Sequence, residues 1–311
     1  MVQGNARREL MSRAAWLYYE RGLNQQAVAD RLGLSRSTIS RLLTDAEREG
    51  IVRITITEAL PESVLLAERL IERHGLDGAT VEPTDRDTPP MDAAAAAMAR
   101  RLEDLVSSGP VTIAAGWGRT LGKAAQTART MHTSGVVLID AFGHTTTEGI
   151  APAVEVTNNL GFKFGARVMH IPSPGFAPSA QIAAHFLSSE SVSSTLDLAR
   201  AADVVIVAVG VVGPESLLIT ADYLDDAAMD ALVAAGAVGE VFGRYFDAAG
   251  NEVMPDILHP VSLTLDDLRK ARRVIAAVGG IEKADAVRGA LAAGIIDELA
   301  TDDGLAKALI G

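Results

Sequence analysis

The sequence predicts a small helical head joined to a larger α/β body built on a parallel sheet. Three observations carry this. Residues 1–57 hold nine arginines, six acids and no lysine, a balance of +3, while the remaining 19 basic and 34 acidic residues give −15. Apolar residues in the head recur at helical spacing. From residue 78 onward, short β-branched runs, glycine loops and Ala/Leu-rich stretches alternate. The 311 residues, 48% of them hydrophobic, suffice for one small and one large core.

In the head, Leu10, Ala14, Leu17 and Tyr18 predict a helix over 8–21, closed by Gly22. Val28, Ala29 and Leu32 share one face of a second helix, 25–32. Gly33 and Leu34 then make a tight turn, and Ser35 is the N-cap candidate of a third helix, 36–49, closed by Gly50. Residues 51–57 alternate apolar and polar, which predicts a strand and, with a partner, a winged domain. The run QQAVADRLGLSRSTISRLLTD has helix-turn-helix spacing. Ala29 is small where two helices cross, Gly33 sits in the turn, and Ile39 plugs the core.

At about 100° per residue, Ile39, Leu42, Leu43 and Ala46 face inward, and Ser37, Arg41, Thr44 and Arg48 face outward. Such a face suits the major groove of double-stranded DNA. Ser37, Thr38, Ser40 and Arg41 are the candidates for base edges, with Ser35 beside them at the cap. Gln25 and Arg36 are the candidates for phosphates, and Arg53 a further one.

The domain boundary is placed at residue 58, giving 1–58 and 59–311, with a connecting helix at 61–74. Strands are expected at 79–82, 111–115, 136–140, 167–171, 203–209, 274–278 and 295–299. Helices are expected at 91–107, 119–131, 150–160, 179–200, 225–235, 281–293 and 303–310. Segment 83–92 reads as a loop and 237–263 as a hairpin insertion around Asp247–Gly250. This alternation predicts a sheet covered on both faces.

The loop Gly116-Trp117-Gly118-Arg119-Thr120 lies between a strand and a helix N-terminus, where free amides and the helix dipole favour an anion. Equivalent loops carry Gly143 and His144, residues 172–175, Gly210, and Gly279-Gly280 with Lys283. A lysine in the first helical turn opposes the dipole unless it holds an anion. His144 and His170 follow strands. Asp247 can bond sugar hydroxyls or open a turn with Gly250. A dinucleotide reading rests on Gly116, Gly118, Gly122 and Asp140, with Trp117 standing between the first two glycines.

The absence of cysteine excludes disulfides, thiolate zinc sites and cysteine nucleophiles, and fits the cytoplasm. The six histidines show no metal-ligand spacing, and GxSxG and HExxH do not occur, so neither a metal, a catalytic centre nor a cofactor is expected. The first ten residues have no signal-peptide core. The longest apolar run, 204–213, is far shorter than the roughly 20 residues that span a bilayer, so no membrane partner is expected. Aromatics, at 4%, are too few for base-stacking platforms.

Several segments together resemble the SorC/DeoR-type sugar-binding transcriptional regulators. They are GLNQQAVADRLGLSRSTISRLLTDAEREGIVRITI in the head, then GWGRTLGKAA, LARAADVVIVAVG, AGAVGEVFGRYFDAAG and AVGGIEKADAVRGALAAGIIDELATDDGLAKAL. The resemblance implies a Rossmann-like body similar to sugar-phosphate isomerases and glucosamine-phosphate deaminases. It also implies a homodimer or homotetramer on operator DNA, controlled by a sugar, polyol or their phosphates, and not an enzyme. It places the phosphate loop on Gly116, Gly118, Arg119 and Thr120, the closing lysine on Lys283, and the hydroxyl-binding acid on Asp247. Two departures stand out. Arg119 replaces a second threonine common in the family, and Asp140-Ala141-Phe142-Gly143 replaces a double glycine. The alternatives are an isomerase- or deaminase-like enzyme and a regulator sensing a nicotinamide dinucleotide.

Overall fold

The computed structural model describes residues 2–52, 60–131, 133–145 and 151–311. The chain divides into two compact units, Met1–Ala59 and Leu60–Gly311.

The head contains α1 (Val2–Ala15), one π turn (Trp16–Glu20), α2 (Gln25–Leu32) and α3 (Arg36–Arg48). The first helix thus starts before residue 8 and does not stay α-helical to Arg21. It widens at Trp16, and the Arg21 amide donates to the carbonyl five residues back, 3.1 Å away. The Asn24 side chain caps α2 at the Ala27 amide and Ser35 caps α3 at the Thr38 amide. Gly33, at φ 68, gives the left-handed turn between them. Met11, Ala14, Leu17, Val28, Ala29, Ile39, Leu42, Leu43 and Ala46 close the head's core. Ile51 and Val52 pack on it in a bend. The rest of the expected 51–57 strand, with Arg53 and the boundary at 58, lies outside the described residues.

The body runs α4 (Glu62–His74), β1 (Gly78–Glu82), α5 (Pro90–Ser107), β2 (Val111–Ala115), α6 (Arg119–Thr127), β3 (Val136–Asp140), α7 (Ala153–Phe164), β4 (Arg167–Met169), α8 (Ala180–Ser188), α9 (Glu190–Arg200), β5 (Val204–Ala208), β6 (Gly210–Val211), α10 (Leu217–Thr220), α11 (Asp226–Ala234), β7 (Ala237–Val241), β8 (Arg244–Asp247), β9 (Glu252–Val253), α12 (Leu265–Lys270), β10 (Val274–Val278), a 3-10 turn (Ile281–Lys283), α13 (Ala284–Ala292), β11 (Glu298–Asp302) and α14 (Asp303–Ile310). Seven strands form a parallel sheet in the order β1-β11-β10-β5-β2-β3-β4. Strands β6 to β9 form a separate antiparallel sheet, β6-β7-β8-β9.

Alternation within each strand explains why both faces are buried. Ala114, Ile139, Val205 and Ala276 point into one core, while Ile113, Leu138, Ile206 and Ile275 point into the other. The alanines of α5, Ala93 to Ala97, let that helix pack closely, and all but Ala96 are fully buried. Buried Glu298 accepts two bonds from Arg101 (2.6 and 3.0 Å) and pairs with Arg273 (3.3 Å), tying α5 to β11.

Several boundaries differ from expectation. The last strand is Glu298–Asp302 rather than 295–299, because Ile295 and Ile296 are buried in the preceding turn. The helix expected over 179–200 breaks at Ser189, whose backbone is extended. The helix expected over 119–131 ends at Thr127, and that over 150–160 is shifted to Ala153–Phe164 behind Pro152. The strand expected at 167–171 stops at Met169. The 237–263 insertion forms two successive hairpins: β8–β9 turns at the expected Asp247–Gly250, and β7–β8 adds a second tight turn at Phe242–Gly243.

Candidate functional site

The head presents one polar face. Ile39, Leu42, Leu43 and Ala46 are buried, whereas Arg36, Ser37, Ser40, Arg41, Thr44 and Arg48 are exposed and Thr38 is half-buried. The Ser35 hydroxyl is occupied by capping and lies 2.9 and 2.8 Å from those of Ser37 and Thr38. Asp45 pairs with both Arg7 and Arg48. Arg36 and Arg41 have no ion-pair partner among the described residues, so free positive charge concentrates at the N-terminal half of α3. Gln25 and Arg36 line one groove with Tyr18, Leu23 and Asn24. The structure therefore brings together the two expected phosphate contacts.

In the body, the chain runs outward from β2 through β3 to β4, then returns to β5 on the other side of β2. Such a switch point leaves a crevice at the carboxyl ends of its strands. The crevice is occupied by the loop after β2, with Trp117, Gly118, Arg119 and Thr120, and by the loop after β5, with Ala208 to Val211. Lys283 and Glu240 also line it, with Met91, Glu215 and Leu217 at its edges. Gly118, at φ 125, turns the chain into α6, and its amide donates to the Ala151 carbonyl (2.9 Å). Lys283 comes from the turn after β10. Burial pushes its ammonium below the ordinary lysine range; Glu282 and Asp302 oppose this, and Arg119 adds to it. Among the described residues neither Arg119 nor Lys283 has an ion-pair partner.

Glu240, from β7, lines the same crevice. Its Oε2 accepts from the Gly243 amide (2.8 Å). Its Oε1 packs over Gly210, where a Cβ would lie only 2.2 Å away. Burial pushes this carboxyl up to about 7, against the lowering effect of the Gly243 amide. The crevice is thus lined by two cations and a protonatable acid. Glu240 was missed in the sequence. Its legible signal was an acid in the apolar strand between Gly239 and Val241.

Other expected ligand residues lie elsewhere. Asp247 closes the β8–β9 turn. Its Oδ1 accepts from the amides of Ala249 and Asn251, both at 2.9 Å, and the Asn251 side chain and these amides hold its pKa low. Gly143 lies at a tight crossing, where a Cβ would meet the Pro174 oxygen at 2.5 Å. His144 lines a separate cleft with Ser173, Phe176 and Tyr223. Gly279 and Gly280 shape the β10 loop. Gly279 packs on Pro90, and the Gly280 amide donates to Asp302 (2.7 Å). Gly116 opens the β2–α6 loop without lining the crevice. Asp140 is buried against Thr157 (2.7 Å) and His170 (3.0 Å), so it does not face a dinucleotide ribose. Gly122 serves packing against Ala151. Among the described residues no helix can cross a membrane, and no group of His, Asp and Glu is placed to hold a metal.

The homeodomain-like domain family matches residues 7–53, and the family described as "Putative sugar-binding domain" matches residues 59–311. The erythritol catabolism regulatory protein EryD of Brucella abortus (strain 2308) is 30% identical over 304 residues, 97% of this chain and 96% of that protein. The deoxyribonucleoside regulator of Bacillus subtilis (strain 168) is 27% identical over 308 residues, 98% of each chain. The full-length sorbitol operon regulator SorC from Klebsiella pneumoniae superposes with a TM-score of 0.73 at 24% identity, covering 98% of this chain and 99% of its own. The chain belongs to the SorC/DeoR-type sugar-binding transcriptional regulators: it is a DNA-binding regulator with a sugar-type effector domain.

Proposed function

We propose that the crevice between β2 and β5 takes a phosphorylated sugar or polyol, and that its occupancy sets how the heads of a cytoplasmic homo-oligomer engage operator DNA. The domain division is placed at residue 58. The phosphate lies against the amides of Arg119 and Thr120, with the Arg119 side chain and Lys283 neutralising it; the Gly118 amide is held by the Ala151 carbonyl (2.9 Å). Hydroxyls of the carbon chain reach Glu240 and the backbone near Gly210. Asp247 takes no part. The observation that carries this reading is the meeting of Arg119 and Lys283, both without an acidic partner among the described residues, at a helix N-terminus. Lys283, partly buried and with the Arg119 charge beside it, costs free energy there until an anion joins them. Carbohydrate-linked names among the relatives support the class of ligand. The ligand must favour one arrangement of the heads, since equal affinity for both shifts nothing.

A thermal-shift panel of tetritol, pentose and hexose phosphates beside their unphosphorylated parents tests this. A ligand at about 100 times its Kd adds roughly 2.7 kcal/mol. The expected result is a shift by phosphorylated members only, lost in Lys283→Gln. Equal shifts by the parents, or an unaltered response in Lys283→Gln, would contradict it.

A further inference from the structure

The β7–β8 hairpin turns on two residues, Phe242 at φ 58 and Gly243 at φ 72. Two-residue turns with both φ values positive ordinarily carry Asn-Gly or glycines, and a bulky residue in the left-handed region is a rare outlier. Such positions persist where the surroundings require them. Here the requirement is visible. The Phe242 ring is buried, and its Cε1 would lie 2.6 Å from a Cβ at Gly116, the first residue of the anion loop. The Gly116 amide donates to the Ile206 carbonyl (2.9 Å), so the start of the loop is held between β5 and that ring. Phe242 also packs on Phe142 (centroids 6.1 Å), which stacks on Trp117 at 5.0 Å, so two successive loop residues rest on one aromatic layer. The turn itself is fixed. Glu240 holds the Gly243 amide, and Gly243 leaves room for the Phe176 ring, which would lie 2.5 Å from a Cβ there.

We propose that Phe242 is a positioning residue for effector binding: its ring, carried by a left-handed turn, sets where the loop from Gly116 to Thr120 meets the ligand. The inference rests on the pocket reading above. Because Glu240 sits on the same hairpin, the ligand's two ends are placed by one rigid turn.

A double-mutant cycle tests it, read by calorimetric titration with inorganic phosphate and by hydrogen exchange of the 116–120 amides without ligand. Gly116→Ala alone is expected to weaken phosphate binding about tenfold and to speed loop exchange, because the added methyl meets the ring. In a Phe242→Leu background, whose side chain ends short of that methyl, the same change is expected to cost about threefold or less, the remainder coming from the Ile206 carbonyl 3.1 Å from the added Cβ. Phe242→Gly, which suits the turn but removes the ring, is expected to speed loop exchange while the hairpin amides stay protected. Equal effects of Gly116→Ala on exchange in both backgrounds would overturn the proposal, as would unchanged loop exchange in both Phe242 variants. If phosphate fails to bind the wild type, the pocket reading fails, and the exchange arm still decides the role of Phe242.

Discussion

The head and the body place function differently. The head concentrates it on one helix, where the same 3.6-residue period that buries Ile39, Leu42, Leu43 and Ala46 turns Ser37, Ser40 and Arg41 outward. The body gathers its crevice from the loops after β2, β5 and β10 and from strand β7, segments more than 160 residues apart at their extremes. A site on one helix is fixed by local phase. A site on a parallel sheet is fixed by strand order, which local patterns do not contain.

Four measurements press on this comparison, from the largest expected effect to the smallest. Arg101→Met leaves buried Glu298 with Arg273 alone, and is expected to destabilise the body by about 3 kcal/mol in denaturant unfolding. An equally large loss of operator affinity under folding conditions would break the separation of the two units.

The Glu240 carboxyl titrates near 7 instead of 4.5, so the folded body prefers its protonated form. Its contribution to stability is full below pH 4.5 and is lost as pH rises through about 7. That loss should reach roughly 2–3 kcal/mol by pH 8 and vanish in Glu240→Gln. A Glu240→Gln profile as steep as the wild type would remove Glu240 from the account.

Arg41→Ala is expected to weaken operator binding by about 1–3 kcal/mol and leave thermal unfolding of the body unchanged. Uniform weakening across DNA sequences would make Arg41 a phosphate contact rather than a base reader. Ser35→Ala removes the α3 cap and is expected to cost the head about 1 kcal/mol. A loss several times larger would mean that Ser35 does more than hold the Thr38 amide.

The helix-turn-helix was legible because Ala29, Gly33 and Ile39 each answer a steric demand within eleven consecutive residues. The loop after β2 was legible as a strand-to-helix connection because its glycines stand between a β-branched run and an Ala/Leu-rich stretch. Lys283 stood out as a cation at the wrong end of a helix. Asp247 and Glu240 show where this stopped. Both are acids on the same hairpin, and Asp247 looked better because it stands by a turn. That turn is what consumes it, since its carboxylate bonds Ala249 and Asn251. Glu240 looked like an ordinary strand residue until pairing with β6 set its carboxylate over Gly210. His144 lines a separate cleft. The loop after β3 crosses residues 173–175, with the His144 amide donating to Ser173 (2.8 Å), and this turns it away from the crevice.

The division between a DNA-gripping head and a ligand-sensing body is tested most directly by titrating the chain against its own upstream DNA at two salt concentrations. The titration is run with and without the sugar phosphate giving the largest thermal shift, for the wild type, Arg41→Ala and Lys283→Gln. Expected are affinities that fall with salt, Arg41→Ala weak in every condition, and Lys283→Gln gripping DNA like the wild type yet blind to the ligand. Salt-independent binding, or a Lys283→Gln chain that loses DNA and ligand response together, would contradict it.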